Sequence, residues 1–277
     1  MKIIIGIVIA LIIIIGLYLL CLRPNTGRRE AMKAFWDTYI AHRGFFNNEN
    51  VPENSMPAFL AAVEKGYGIE LDVRLTKDEQ AVVFHDATLL RMCGVAKKVS
   101  ECTYEELRSY ALIGSNERIP LFDEVLKAVD GKVPLIVEIK ASEGHVRIAE
   151  KAAEELDGYK GRYCIESFNP LVVRWFKKHR PQIIRGQLSS NYFKDRMGKT
   201  PIDRFVMTNL LLNFFSRPDF IAYNHKHAEQ LSYRLCRQLY KVVGAAWTIR
   251  SEAELKEAWE KFEIIIFDGF VPERRRL

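Results

Sequence analysis

From residue 39 onward the chain is punctuated by nine short apolar runs, at 39–41, 68–73, 81–84, 133–139, 163–165, 183–188, 220–222, 242–247 and 264–267. Each is too short for a buried helix and is bounded by polar or turn-forming residues, so each reads as a strand. Between most of them apolar positions recur at helical spacing, over 57–64, 121–129, 144–156, 170–179, 228–239 and 252–261. Strands alternating with helices over some 240 residues predict a parallel sheet, and this many units predict a closed (β/α)8 barrel of the TIM type. One run is surplus to eight. Residues 81–84 follow the second run too closely for a parallel crossover. The polar stretch Thr76-Lys77-Asp78-Glu79 is expected to turn them into a hairpin, bringing His85 opposite Glu70.

Two stretches break the alternation. Residues 86–118 hold no clear strand and read as a small insertion beyond the barrel rim. Residues 189–217 mix basic side chains with Phe205, Val206, Leu210, Leu211, Leu212, Phe214 and Phe215. A buried helix is expected there in preference to a lip that touches lipid.

The first residues follow another pattern. Positions 3–22 carry no charge and are almost all Ile, Leu and Val, and at about 1.5 Å per residue they span about 30 Å of hydrocarbon. No small-residue cleavage site precedes Arg23, and Cys21 follows two leucines where a lipoprotein needs a small residue, so a retained anchor is expected and not a cleaved leader. The organisation is then an anchor at 1–23, a linker or juxtamembrane helix at 24–37, and a barrel at 38–277. Arg23, Arg28, Arg29 and Lys33 follow the span while Lys2 alone precedes it, which places the barrel on the cytoplasmic side.

Composition adds limits. In 277 residues the net charge is +6, but basic and acidic residues are interspersed, which argues against nucleic acid as a partner. The cysteines at 21, 93, 102, 164 and 236 have no paired spacing and read as reduced, mostly buried thiols. No feature of the sequence specifies an oligomeric state.

In a barrel of this class the chemistry gathers where strands end. The polar residues that close or interrupt the first runs are His42 and Arg43, Glu70 and Asp72, His85 and Asp86, and Glu138 and Lys140. Glu70 and Asp72 are two apart, so on a strand they share a face. Two carboxylates facing a barrel interior, with Glu138 as a third, call for a hard cation held by oxygen, Mg²⁺ or Ca²⁺ in preference to Zn²⁺. His42 and His85 titrate near neutrality and suit a general acid and base. Arg43 and Lys140 suit a phosphate; the plainer reading pairs them with Glu53 and Glu138. Asn54 or Ser55 is expected to cap the helix that begins near Pro57, leaving Glu53 to orient Arg43. Asn224, His225 and His227 follow a strand, but no motif supports them.

The blocks His42-Arg43-Gly44, Pro52-Glu53-Asn54-Ser55, Glu70-Leu71-Asp72-Val73, Thr76-Lys77-Asp78, His85-Asp86 and Glu138-Ile139-Lys140 resemble, in order and spacing, the signature of the glycerophosphodiester phosphodiesterase family. Ser167-Phe168-Asn169-Pro170, Trp247-Thr248 and Ile266-Phe267-Asp268 resemble its later blocks. Two positions depart: Phe267 stands where the family has Thr, and Asn169 where it has Asp. The resemblance implies a barrel with a small insertion that cleaves glycerophosphodiesters to glycerol 3-phosphate and an alcohol. It assigns His42 and His85 as acid and base, Glu70, Asp72 and Glu138 as ligands of one divalent cation, Arg43 and Lys140 as phosphate-binding residues, and Trp247 as a pocket residue. As a packing residue, Trp247 would simply fill the barrel. The anchor also admits hydrolysis of lysophospholipids at the membrane. The alternative outside enzymology is a tethered binding module on a disabled barrel.

Overall fold

The computed structural model describes residues 1–141 and 145–273. Nine strands are present: β1 (Ile40–His42), β2 (Gly68–Leu75), β3 (Ala81–Val83), β4 (Leu135–Ile139), β5 (Tyr163–Ser167), β6 (Arg185–Ser189), β7 (Phe220–Asn224), β8 (Val243–Ile249) and β9 (Ile264–Phe267). β1 pairs in parallel with both β2 and β9, which closes eight parallel strands into a ring. The surplus strand β3 pairs antiparallel with the outer end of β2, as the short separation requires.

The expected register of that hairpin is corrected by one residue. Val73 pairs with Val83, and the Phe84 N–H donates to the Asp72 carbonyl at 2.9 Å, so His85 falls level with Leu71 and not with Glu70.

Period-two alternation explains why the strands look uniformly apolar and yet carry the polar site. Ile69, Leu71, Val73, Leu135, Val137 and Ile139 point outward, under the helices. Ile40, Ile136, Cys164, Leu188, Phe220, Val243 and Ile264 point inward and fill the barrel. Moving along the inward face of the same strands toward their C-terminal ends, the next residues are His42, Glu70, Asp72, Glu138 and Glu166. One end of the barrel is therefore oil and the other is carboxylate.

Helices close the outside at Met56–Lys65, Phe122–Val129, His145–Leu156, Pro170–His179, Leu231–Leu239 and Glu252–Trp259. The start expected at Gly144 and the last residues of the expected barrel, 274–277, lie outside the described residues. Residues 86–118 form a lobe of short helical turns with a core of its own, in which Leu89, Met92, Val99, Cys102, Leu107 and Leu112 pack on Phe84. The five cysteines are free, Cys21 and Cys93 half-buried and the other three buried.

The stretch 24–37 is more than a tether. Met32 and Phe35 are fully buried and cap the apolar end of the barrel interior. Arg28 donates to the Gln182 and Ile183 carbonyls at 3.1 Å, and Arg29 bonds Glu263 at 3.0 Å. Two of the arginines that argued for orientation are thus also bonded into the fold.

The apolar stretch after β6 corrects another expectation. It forms helices at Pro201–Thr208 and Asn213–Ser216, and only part of it is buried: Leu210 is in the core, whereas Phe205 and Phe214 are about half exposed. The N-terminal helix Lys2–Leu22 is exposed through Leu17 and docks on the barrel only over its last turn.

Candidate active site

The strand ends form a cavity of about 200 Å³, lined on one side by His42, Glu70, His85, Glu138 and Lys140 and on the other by Phe168, Leu188, Trp247 and Ile266. β1 ends at His42, and the backbone then turns through the left-handed region at Arg43 (φ 58°) and Gly44 (φ 81°). A Cβ at Gly44 would meet the Ala58 carbonyl carbon at 2.9 Å, so this close approach needs glycine. The turn aims the Arg43 N–H at Glu70 Oε2, 3.0 Å away, while its guanidinium donates to Glu53 at 2.7 Å.

Glu70, Asp72 and Glu138 are buried, and each offers an oxygen within 4.8 Å of the others. Lys140 lies between two of them, 3.0 Å from Asp72 and 2.7 Å from Glu138. Burial, then Asp72 and Glu138, push the Glu70 carboxyl well above the usual carboxylate range. Burial also opposes ionisation of Asp72, but Lys140, His85 and Arg43 outweigh it and hold that carboxyl low. Burial likewise lowers the proton affinity of Lys140, and Asp72 and Glu138 overcompensate, so its ammonium stays charged.

Each histidine leans on a carboxylate through Nδ1. His42 lies 2.8 Å from Asp268, and His85 lies 2.6 Å from Asp86. An ionised carboxylate only accepts, so Nδ1 carries the proton and Nε2 is left as the free base. Burial is the largest influence on both rings. It lowers His42 despite Asp268, and brings His85 to about 4 despite Asp72. Both imidazoles are neutral near pH 7.

Of the residues singled out in the sequence, His42, Arg43, Glu70, His85, Glu138, Lys140 and Trp247 line this cavity, and Asp72 and Glu53 pair with Lys140 and Arg43 in its wall. Arg43 and Lys140 make the expected ion pairs with Glu53 and Glu138 while lining the cavity. Trp247 lines the wall, with its ring edge-on to Phe168 at 5.6 Å. The cap is settled as Ser55, whose Oγ accepts from the Ala58 N–H. Asn54, with φ 53°, instead donates to Asp72 at 2.8 Å. Asn169, at a departing position, accepts from the Leu171 N–H and caps Pro170–His179.

Several neighbours were missed. Glu166 is buried in the cavity wall with Oε2 unpartnered, and burial followed by Glu138 pushes its carboxyl well up. It closes an apolar run, the very criterion that selected the others. Asn224 and His225, set aside for want of a motif, are cavity residues. Arg91, from the inserted lobe, joins Glu53 and Asp86 through contacts of 2.6 Å each, and no local pattern announces that.

A closed eight-stranded barrel with histidines, a lysine and four buried carboxylates at the C-terminal ends of its strands defines a TIM-barrel protein with its polar cluster where active sites of that class lie. The chain belongs to the glycerophosphoryl diester phosphodiesterase family, whose model matches residues 42–272.

Among curated relatives, the glycerophosphodiester phosphodiesterase of Caldanaerobacter subterraneus subsp. tengcongensis is 38% identical over 161 residues, 54% of this chain. That match spans 65% of the relative's length, and one to a glycerophosphodiester phosphodiesterase of Bacillus altitudinis spans 63%, under two thirds in both cases. The lysophospholipase D GDPD1 of Rattus norvegicus is 35% identical over 277 residues, 88% of this chain and 86% of that protein. The fold is that of an Oleispira antarctica phosphodiesterase solved in complex with the product sn-glycerol-3-phosphate, with TM-score 0.70 at 21% identity over 86% of this chain and 94% of that one.

Proposed function

We propose that the chain hydrolyses glycerophosphodiesters to glycerol 3-phosphate and an alcohol. The observation that carries this is the convergence of two carboxylate-held histidines, Lys140 and the Glu70–Asp72–Glu138 cluster on one cavity. The donor set fits a hard divalent cation: it is all oxygen, it is buried, and the burial and then the repulsion that push Glu70 up are what a cation would offset. Glu70, Asp72 and Glu138 would hold Mg²⁺ or Ca²⁺, which would supply positive charge to polarise a phosphoryl oxygen.

The remaining work falls to the chain's own side chains. Arg43 and Lys140 hold the phosphate, with Glu53 bracing Arg43 between the cavity and Arg91. His42 and His85 exchange the two protons through Nε2: one takes a proton from the attacking water, or from the substrate's glycerol hydroxyl to give a cyclic phosphate that water then opens, and the other gives one to the leaving alcohol. Whichever ring acts as the acid needs a second proton in the complex, since burial leaves both imidazoles neutral without substrate. Trp247 and Phe168 form the apolar wall against which the glycerol backbone or the alcohol lies.

We also propose that Lys2–Leu22 anchors the barrel to a membrane, on its cytoplasmic side, with 24–37 joining anchor to barrel and 38–277 forming the enzyme proper. The second reading, release of the head-group alcohol from lysophospholipids, draws support from the apolar wall and the long match to rat lysophospholipase D GDPD1.

Purified protein is assayed with Mg²⁺ or Ca²⁺ on glycerophosphocholine and lysophosphatidylcholine, with and without chelator, alongside His42→Ala. Turnover of the first substrate, abolished by chelator and by His42→Ala, supports the leading reading. Turnover of the lipid alone transfers support to the second. Inactivity across a broad diester panel would leave a binding module.

A further inference from the structure

The direction in which the N-terminal helix leaves the barrel has a geometric consequence. Its Tyr18 hydroxyl bonds Ser232 at 2.8 Å, and its Leu22 carbonyl meets Asn213 Nδ2 at 3.3 Å and lies beside Cys236. Tyr18 is thus level with Ser232 and Leu22 with Cys236, so the helix runs alongside and parallel to Leu231–Leu239. That helix follows β7 and descends from the C-terminal ends of the strands, where the cavity opens. Beyond Leu22 the chain continues down the same flank, where Asn25 bonds the Pro218 carbonyl at 2.9 Å just before β7 begins. Residues 2–17, all exposed, therefore project past the rim on the cavity side.

The length of that projection decides how close the rim must lie. Sixteen residues rise about 24 Å, and the hydrocarbon core is about 30 Å thick. The last turn, held against the barrel by Tyr18, Leu19 and Leu22, cannot cross water to make up the difference, because the next residues are tied down without a slack linker. Spanning draws the rim into the interface.

The rim is suited to it. After β6, and at the start of the helix that Tyr18 touches, Phe193 is 50% exposed, Ile202 74%, Phe205 54% and Leu231 59%. Lys194, Arg196 and Lys199 are exposed among them, whereas the acids of the stretch are engaged, Asp195 with His227 and Asp203 with the Thr200 N–H. Large apolar side chains interleaved with basic ones suit the boundary of an anionic leaflet. Asp195 also accepts from Asn224 at 3.1 Å, which joins this segment to the cavity wall.

We propose that the loop and helix 193–205, with Leu231, sit in the headgroup layer of the membrane that the N-terminal helix spans, so that the cavity faces the bilayer and takes its substrate from it. This rests on the anchor reading, and it favours a lysophospholipid or membrane-derived diester over a solute.

The test uses the full chain reconstituted in nanodiscs of mixed zwitterionic and anionic phospholipid. Phe205→Trp is compared with Leu239→Trp, at the far end of Leu231–Leu239, using lipids brominated on the acyl chain. The added fluorescence at 205 is expected to be quenched at least twofold more than that at 239; equal quenching would overturn the proposal. The triple variant Phe193→Asp, Ile202→Asp, Phe205→Asp is expected to lose at least tenfold in turnover of bilayer-resident lysophosphatidylcholine while keeping its rate on soluble glycerophosphocholine. Unchanged lipid turnover, or equal loss on both substrates, counts against it. Release of the wild type by carbonate wash would overturn the anchor and this proposal with it. Absence of any turnover refutes the activity alone, since quenching still decides the seating.

Discussion

Asp268→Asn isolates what the last strand contributes to the chemistry. In the wild type the His42 Nδ1–H donates to the Asp268 carboxylate at 2.8 Å, and that carboxylate is itself held by Arg250 at 2.9 Å. The amide removes the charge and keeps the shape. It can also turn its NH2 toward Nδ1, which moves the ring proton to Nε2 and leaves His42 unable to accept one. A charge-assisted hydrogen bond of this kind contributes about 1.5–3 kcal/mol. Lost only in the transition state, that is roughly a 10- to 150-fold fall in kcat with KM nearly unchanged. The pH profile carries a second signature. Burial lowers the His42 pKa and Asp268 opposes that, so removing the carboxylate lowers it further and shifts the limb of the kcat profile that reports His42, the acid limb if it is the base, to lower pH while the plateau falls. Glycerol 3-phosphate release across pH 4–9 (roughly the range bracketing histidine) measures both effects, and ¹⁵N shifts of the imidazole report the tautomer. A variant with kcat within twofold of wild type and an unmoved profile would refute the assignment, as would a loss confined to KM.

Three further outcomes follow from the same structure. Glu155 is pushed up to about 7, by burial and then by Asp123, from an ordinary value of 4.5. Its contribution to stability is therefore full below about pH 4.5 and is lost as pH rises through about 7; Glu155→Gln is expected to stabilise by about 1–2 kcal/mol at pH 8, after allowance for solvent at this half-buried site, and by little at pH 4, in urea denaturation. Gly186 faces the Phe220 ring inside the barrel with no room for a Cβ, so Gly186→Ala should cost about 1–3 kcal/mol with an unchanged denaturant slope. Mg²⁺ or Ca²⁺ at a hundredfold over its Kd should raise apparent stability by about 2.7 kcal/mol in thermal denaturation, an effect that Glu70→Gln abolishes; a variant that responds like wild type would place the cation elsewhere.

The sequence alone determined the strand–helix alternation, the count that forces one strand into a hairpin, and the shared strand face of Glu70 and Asp72. These are local properties, since period two and period 3.6 are written into consecutive residues and a short separation forbids a parallel crossover. The family motif was legible for the same reason, being a set of blocks in fixed order. Tertiary structure decided whatever depends on residues far apart in the chain. Arg91 reaches Glu53 from the inserted lobe, Asp268 orients His42 across 226 positions, and Glu166 joins the carboxylates through β5 beside β4. Exposure was undecidable by pattern for Phe205 and its neighbours, because an apolar residue looks the same whether it faces a core or a lipid. Met32 and Phe35 posed the converse case, apolar residues in a stretch that read as a linker or juxtamembrane helix until the barrel interior enclosed them. The N-terminal helix sums up the division: its composition makes it long and apolar enough to cross a membrane, but only its docking between Ser232 and Asn213 sets which end of the barrel it leaves by.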